Sequence, residues 1–134
     1  MTDDSQNSSP ILPPAVLVAE KYPIARISLA ELLQYDGYRV FQAPDRDTAI
    51  SCIDENLDLA VLLTDLDMPH WKSLVRHAQT IVPKALVLGM AQFHLMPEPS
   101  ELQRRGIHAC LAKPLMYQEV RQSIVNHIGS NVKK

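Results

Sequence analysis

Short apolar runs alternate with amphipathic segments along most of the chain. The runs cover Ala15 to Ala19, Tyr38 to Gln42, Leu59 to Leu63, Ala85 to Met90 and Ile107 to Ala112. Short, nearly continuous apolar runs are typical of strands that are buried on both faces of a parallel sheet. The pattern therefore predicts five buried strands.

The segment after the first run predicts a helix that begins at Pro23, a residue that suits the first helical turn. Gly37 can end this helix in the left-handed conformation. Between them, four apolar residues recur at the 3.6-residue period of one helical face: Ala25, Leu29, Leu32 and Leu33.

Four further helices follow from the same reasoning. Pro44 and Asp45 open the second helix, with Asp45 as the N-cap. The third is predicted over Lys72 to Ile81, and a short one over Ser100 to Arg105 is ended by Gly106. The side chains that we expect to face the sheet are Ala49, Ile50 and Ile53 in the second helix, and Tyr117, Val120, Ile124 and Ile128 in the last, which covers about residues 116 to 128 and is ended by Gly129.

Strict alternation of strand and helix predicts right-handed crossovers and a parallel sheet with helices on both faces. The expected fold is a single flavodoxin-like α/β domain, a doubly wound five-stranded parallel sheet of strand order 2-1-3-4-5. We expect this domain to cover residues 15–129. The polar, proline-broken residues 1–14 are predicted to be a flexible N-terminal tail, and residues 130–134 a C-terminal tail.

Composition limits the function more than it identifies it. The 134 residues suit one core, and a net charge of -2 gives no electrostatic reason to expect nucleic-acid binding. Cys52 and Cys110 form no motif, which favours a reducing compartment. The sequence shows neither a bilayer-spanning run nor a signal peptide, so we expect a cytoplasmic protein without a membrane partner.

Charged residues lie at the predicted carboxyl ends of the strands. Asp65 follows the most continuous apolar run, Glu20 and Lys21 follow the first, and Lys113 follows the last. Ligands of open α/β sheets bind at this edge, near the point where the strand order reverses. Glu20, Lys21 and Asp65 are therefore expected to share a crevice that Lys113 approaches from the far side.

These segments carry a resemblance to the receiver domains of two-component response regulators, from Ala15 to Gly129. The matching residues are Val-Leu-Val-Ala-Glu20 with Pro23, Thr-Asp65-Leu-Asp-Met-Pro69, and Ala-Cys-Leu-Ala-Lys113-Pro114. The resemblance implies that Asp65 accepts a phosphoryl group and that Lys113 contacts its oxygens. It also implies a Mg²⁺ site formed by Glu20, Asp65 and the backbone carbonyl of Asp67.

The same resemblance implies partners. The phosphoryl donor would be a histidine kinase or a phosphotransfer protein, and the output would pass to a downstream protein. Because receiver-like domains often dimerise through the face formed by their last helices, the resemblance also leaves a homodimer open for this chain. Only Ser-Asn-Val-Lys-Lys follows Gly129, so we expect another protein or another domain to deliver the output.

The chain departs from the receiver pattern at several positions. Lys21 replaces the second acidic residue after the first strand, which predicts weak Mg²⁺ binding with an ammonium partly in its place. Gly89 and Met90 stand where the family has Thr or Ser, and Cys110 stands where it has an aromatic residue. The glycine usual after Met-Pro is absent from His70-Trp71-Lys72. Together these changes predict a degenerate receiver.

Two other functions remain as alternatives. One is a pseudo-receiver, a phosphorylation-independent binding module that keeps the fold without the switch. The other is a phosphatase of the haloacid-dehalogenase type, in which Asp65 would attack phosphate and Asp67 would act as acid and base. The mid-chain position of the motif and Pro69 within it weigh against the phosphatase, so we do not expect an enzyme.

For several side chains the sequence leaves two alternative placements open. Lys21 either neutralises Asp65 or points into solvent. Trp71 and the segment Phe93 to Met96 either bind a partner or fold back onto the core. Cys110 is read as a packed strand residue. The histidines show no metal-ligand spacing and are expected at the surface: His70, His77, His94, His108 and His127.

Overall fold

The computed structural model describes residues 12–129, which form five strands and five α-helices. The strands are β1 (Ala15–Ala19), β2 (Arg39–Ala43), β3 (Leu59–Asp65), β4 (Leu86–Gln92) and β5 (Ala109–Lys113). The helices are α1 (Pro23–Tyr35), α2 (Arg46–Glu55), α3 (Trp71–Ile81), α4 (Pro99–Arg105) and α5 (Tyr117–Ile128), with a 3-10 helix at Phe93–Leu95. Most of the predicted tails, residues 1–11 and 130–134, lies outside the described residues.

All strand pairs are parallel, and the strand order is β2-β1-β3-β4-β5. This confirms the predicted fold. The register pairs Ala19 with Thr64, Asp65 with Met90, and Ala91 with Ala112. The carboxyl ends of the strands therefore meet at one edge of the sheet, where the candidate residues lie.

Alternate side chains of the strands fill two separate cores. On one face Leu17, Leu62 and Val87 pack with apolar residues of α2 and α3. On the other face Val18, Leu63 and Met90 pack with residues of α1 and α5. Both faces of the sheet are thus covered, which is why its strands are apolar at nearly every position.

The residues predicted to begin and to end the helices do so in the structure. The Oδ1 atom of Asp45 accepts a hydrogen bond from the backbone N of Thr48 at 2.8 Å, which confirms Asp45 as the N-cap of α2. Gly37 and Gly106 follow α1 and α4 with φ angles of 99° and 77°. Both lie in the left-handed region that glycine adopts without strain.

The structure corrects several boundaries. β2 begins one residue later than predicted, at Arg39, because the backbone N of Tyr38 donates to the carbonyl of Leu33 at the end of α1. β4 continues beyond Met90 to Gln92 and pairs with β5 as far as Lys113. β5 begins at Ala109 rather than at Ile107.

The buried face of α1 is also narrower than predicted. Leu29 and Leu33 are buried together with Ala30, whereas Ala25 and Leu32 are exposed. The physical reason is that Ala25 and Leu32 line a groove between α1 and the segment that joins β5 to α5, instead of packing on the sheet.

Candidate functional site

The side chain of Lys113 joins the two acidic residues that the sequence singled out. Its Nζ atom lies 3.0 Å from Oε1 of Glu20 and 3.1 Å from Oδ1 of Asp65. The carboxylates are almost fully buried, with Glu20 2% and Asp65 0% exposed. Three charged side chains at the carboxyl ends of β1, β3 and β5 therefore meet at one edge of the sheet.

Backbone contacts fix both carboxylates. The backbone N of Glu20 donates to the carbonyl of Ala43, and Oε2 of Glu20 accepts from the backbone N of Tyr22 at 3.2 Å. Oδ1 of Asp65 accepts from the backbone N of Asp67 at 2.9 Å. The second oxygen of Asp65, Oδ2, is buried and has no hydrogen-bond partner among the described residues. An orphaned buried acceptor is costly, which sets this oxygen apart from the paired oxygens of the cluster.

The electrostatics of the cluster oppose the charge on Glu20 and favour the charge on Lys113. Burial, and then the neighbouring Asp65, raise the pKa of the Glu20 carboxyl. Burial lowers the pKa of the Lys113 ammonium, but hydrogen bonds to Glu20 and Asp65 outweigh it and raise that pKa overall. Lys113 therefore stays protonated at neutral pH and compensates the buried negative charge.

Lys21 lies beside Tyr22 in the structure. Its Nζ atom is 5.1 Å from the centroid of the Tyr22 ring. Between residues 12 and 129, no ion pair joins Lys21 to Asp65 or to Glu20. The Nζ atom of Lys113 lies 5.9 Å from the same ring.

The two positions predicted to lack a hydroxyl lie on opposite faces of β4. Met90 pairs with Asp65 and belongs to the core beneath α1 and α5. Gly89 pairs with Thr64, and a Cβ atom built on it would lie 2.8 Å from Cδ1 of Leu66 on the other face. Ala91 and Gln92, which extend β4 beyond the predicted end, also lack a hydroxyl.

Cys110 is half-buried on β5, opposite Gly89. Burial raises the pKa of its thiol, which keeps the thiol protonated and weakly reactive. This environment agrees with the reading of Cys110 as a packed strand residue.

The donor set matches a divalent metal ion only in part. Glu20 and Asp65 offer carboxylate oxygens of the kind that Mg²⁺ prefers, and Oδ2 of Asp65 has no hydrogen-bond partner among the described residues. The side chain of Asp67 is exposed, Lys21 stands at the third acidic position, and Lys113 already bridges both acids. Among residues 12–129, no three His, Cys, Asp or Glu side chains are placed to share a metal ion.

An apolar groove of about 590 Å³ opens next to this cluster. Glu20 and Lys113 lie at one end of it, and the remaining walls come from α1, from the β5–α5 segment and from Met90 and Gln92 of β4. Several large apolar side chains of these walls are exposed, and Ile24 is the most exposed at 83%. The wall residues include Ile24, Ala25, Leu29, Leu32, Pro114, Leu115 and Tyr117.

Two residues of the site were missed by the sequence reasoning. Tyr22 contacts the site through its backbone and its ring, and its place directly after Glu20 and Lys21 was the only signal. Arg26 donates from Nη1 to the carbonyl of Glu20 at 2.9 Å and from Nε to Oε1 of Gln42 at 3.2 Å. It supports the loop after β1 from the next helical turn.

The structure shows which of the two alternative placements each of these side chains adopts. Trp71 folds back against the core, and the guanidinium of Arg105 lies 5.7 Å from its ring. Phe93 and Leu95 remain exposed. The histidines are exposed or, for His77, half-buried beside Asp54 at 2.7 Å.

Comparison with solved structures identifies the fold. A response regulator receiver domain from Clostridium thermocellum superposes with a TM-score of 0.79 at 23% identity, over 86% of this chain and 94% of that one. This chain has the receiver fold. The receiver domain of the sensor histidine kinase PA1611 from Pseudomonas aeruginosa superposes with a TM-score of 0.75 at 21% identity, over 88% of this chain and 99% of that domain. That structure holds a magnesium ion coordinated in its active-site cleft.

Sequence comparison finds similarity to a sensor histidine kinase. The sensor histidine kinase RcsC of Escherichia coli is 26% identical over 133 residues, which cover 92% of this chain. The chain spans 14% of the length of that kinase. No family model matches the chain. None of the helices between residues 12 and 129 is long and apolar enough to cross a membrane.

Proposed function

We propose that the chain is a receiver-like signalling module of a two-component phosphorelay, in which Asp65 is the phosphoacceptor. The observation that carries the proposal is the bridge from Lys113 to a fully buried Asp65 whose Oδ2 atom lacks a partner. A carboxylate held this way can attack phosphorus to form an acyl phosphate. Transfer of a phosphoryl group depends mainly on positioning and on compensation of charge, and Lys113 supplies both.

The phosphoryl donor in this proposal is a phosphohistidine of a histidine kinase or a phosphotransfer protein. Such a partner must bring its ring to Asp65, so it must contact the surface around the cluster. The groove between α1 and the β5–α5 segment supports this route, because its exposed apolar walls begin at Glu20 and Lys113. The module itself would be a signalling protein rather than an enzyme, and its two free thiols favour a cytoplasmic setting.

The metal site and the switch are degenerate in this proposal. Mg²⁺ would bind weakly, because Lys21 places an ammonium where a carboxylate would complete the donor set. Met90 lies opposite Asp65 without a hydroxyl to contact a phosphoryl oxygen. A pseudo-receiver that binds partners without phosphorylation is therefore the second candidate, supported by the same two residues.

The test is phosphorylation of the protein by acetyl phosphate in the presence of Mg²⁺, read by intact mass. An adduct of one phosphoryl group on the wild type and none on Asp65→Asn would support the phosphoacceptor. Asp47→Asn is the matched control, because Asp47 is an exposed aspartate on α2 that has no role in the proposed site. Absence of an adduct on the wild type would favour the pseudo-receiver. Continuous release of phosphate from a generic ester, lost in Asp65→Asn, would instead favour the phosphatase.

A further inference from the structure

Two lysines from distant parts of the chain meet at one aromatic ring. Nζ of Lys21 lies 5.1 Å from the centroid of the Tyr22 ring, and Nζ of Lys113 lies 5.9 Å from it. Within about 6 Å an ammonium is attracted by the negative face of an aromatic ring. The Tyr22 ring therefore lies within reach of two cations, of which Lys113 also bridges the buried carboxylates of Glu20 and Asp65.

Tyr22 is itself fixed to the acidic cluster. Its backbone N donates to Oε2 of Glu20, whose other oxygen accepts from Lys113. Pro23 follows at once and begins α1. The ring is half-exposed and lines the groove together with Glu20 and Lys113, the two residues of the cluster that the groove reaches.

The charges of this cluster balance without an added ion. Glu20 and Asp65 contribute two negative charges, and Lys21 and Lys113 contribute two positive charges. An acidic residue at position 21 would leave three negative charges against one positive charge. That excess of two is what a divalent cation would neutralise, and here Lys21 removes the need for it.

We propose that Tyr22 positions Lys21 and Lys113 as a cation pair that takes the place of a divalent metal ion, so that Asp65 accepts a phosphoryl group without Mg²⁺. This inference rests on the proposed role of Asp65 as phosphoacceptor. With acetyl phosphate, a carboxylate oxygen of Asp65 forms a bond to phosphorus. The bond from phosphorus to the acetyl oxygen breaks, and acetate leaves with the electron pair. Two N–H donors of Lys113 face Glu20 and Asp65, so the two ammoniums offer up to about four donors to the phosphoryl oxygens.

The experiment measures the rate of adduct formation from acetyl phosphate by intact mass, once with excess Mg²⁺ and once with EDTA. We expect the wild-type rates to agree within about twofold. Lys21→Gln should slow the reaction in EDTA about tenfold or more, because one of the two cations that stabilise the developing charge is lost. Lys72→Gln is the matched control. Lys72 also lies beside an aromatic ring, with its Nζ atom 5.8 Å from the centroid of Trp71, but it belongs to α3 and not to the proposed cation pair.

Substitutions of Tyr22 test its role as a positioning residue. Tyr22→Phe keeps the aromatic face and should keep the reaction in EDTA, whereas Tyr22→Leu should slow it. The ratio of the rates in EDTA and in Mg²⁺ is the decisive readout, because a general loss of folded protein lowers both rates together. The ring is half-exposed, so neither variant removes a core side chain.

Each outcome has one meaning. An adduct that forms with Mg²⁺ and fails to form in EDTA would overturn this inference and leave the proposed function standing. No adduct on the wild type under either condition would overturn the proposed function and the inference with it. An adduct in EDTA that survives both Lys21→Gln and Tyr22→Leu would show that the cation pair is not responsible.

Discussion

Glu20 and Lys113 are 93 positions apart along the chain, yet Nζ of Lys113 donates to Oε1 of Glu20 across 3.0 Å. The parallel sheet makes this contact, because it collects the ends of β1, β3 and β5 at one edge. The Lys113 side chain is 22% exposed, while both of its acidic partners are buried. The bridge is thus an ion pair with little access to water.

Loss of this bridge is expected to destabilise the fold. Lys113→Met keeps most of the side-chain volume and leaves two buried carboxylates without their cation. Breaking a buried pair by removing one partner costs about 3 kcal/mol or more in the free energy of unfolding. Urea unfolding at neutral pH measures this, and Lys84→Met serves as an exposed control that should change little. Equal stability of the two variants would contradict a structural role for the bridge.

The raised pKa of Glu20 predicts a pH dependence of stability. Because burial and Asp65 raise this pKa above the usual 4.5, the folded protein binds the proton more tightly than the unfolded chain does. The contribution of Glu20 is therefore fully present below pH 4.5 and is lost as the pH rises through the raised pKa. The unfolding free energy of the wild type, minus that of Glu20→Gln, should fall across this window. A difference that stays constant with pH would contradict the prediction.

Introducing a hydroxyl at position 89 is expected to destabilise the fold. A Cβ atom at this position would meet Cδ1 of Leu66 at 2.8 Å, so Gly89→Ser forces the Leu66 side chain to move. We expect a loss of about 1 kcal/mol in the free energy of unfolding, at the low end of overpacking because Leu66 is only half-buried. Chemical denaturation would measure it.

The double variant Gly89→Ser with Leu66→Ala separates the causes. If contact with Leu66 is responsible, the serine should cost less in the Leu66→Ala background than in the wild type. An unchanged cost would place the strain in the backbone of β4. In neither background should the hydroxyl reach Asp65, because Gly89 pairs with Thr64 on the opposite face of the sheet.

Tyr117 is expected to hold α5 against the end of α1. Its hydroxyl donates to Oδ2 of Asp36 at 2.7 Å, and burial together with Asp36 raises the pKa of Tyr117, so the proton stays in place. Tyr117→Phe should lower the free energy of unfolding by about 1 kcal/mol, the usual loss for one such hydrogen bond. Tyr35→Phe is the matched control, since Tyr35 is 91% exposed. Equal effects of both variants would exclude a contribution from the hydroxyl.

The sequence predicted most of the fold because its strands are apolar at nearly every position. β1 was predicted to the residue, and the topology rules for parallel strands brought Glu20, Asp65 and Lys113 together. Periodicity could not decide the exposure of Leu32, because a helix that borders a groove buries a narrower stripe than its apolar residues occupy. The apolar pattern also could not predict the residue at which β4 ends, since Ala91 continues the apolar run without a break.

The contacts of Tyr22 could not be predicted for a different reason. They depend on the rotamers of Lys21 and Lys113 and on the exact turn between β1 and α1, which no local pattern encodes. Lys21 illustrates this: the sequence left it either beside Asp65 or in solvent, and the structure has it over a neighbouring ring. The partners of side chains at strand ends can thus be named only from the three-dimensional structure.

A change at Lys21 should alter the affinity for Mg²⁺. Lys21→Asp removes an ammonium and adds a carboxylate beside Glu20 and Asp65, so the donor set would offer three acidic side chains. We expect Mg²⁺ to bind this variant at least about tenfold more tightly than the wild type, which corresponds to about 1.4 kcal/mol. Calorimetric titration with MgCl₂ measures the affinity, and Lys21→Gln separates the loss of the positive charge from the gain of a ligand. If Lys21→Asp and Lys21→Gln bind Mg²⁺ equally well, the added carboxylate does not act as a ligand.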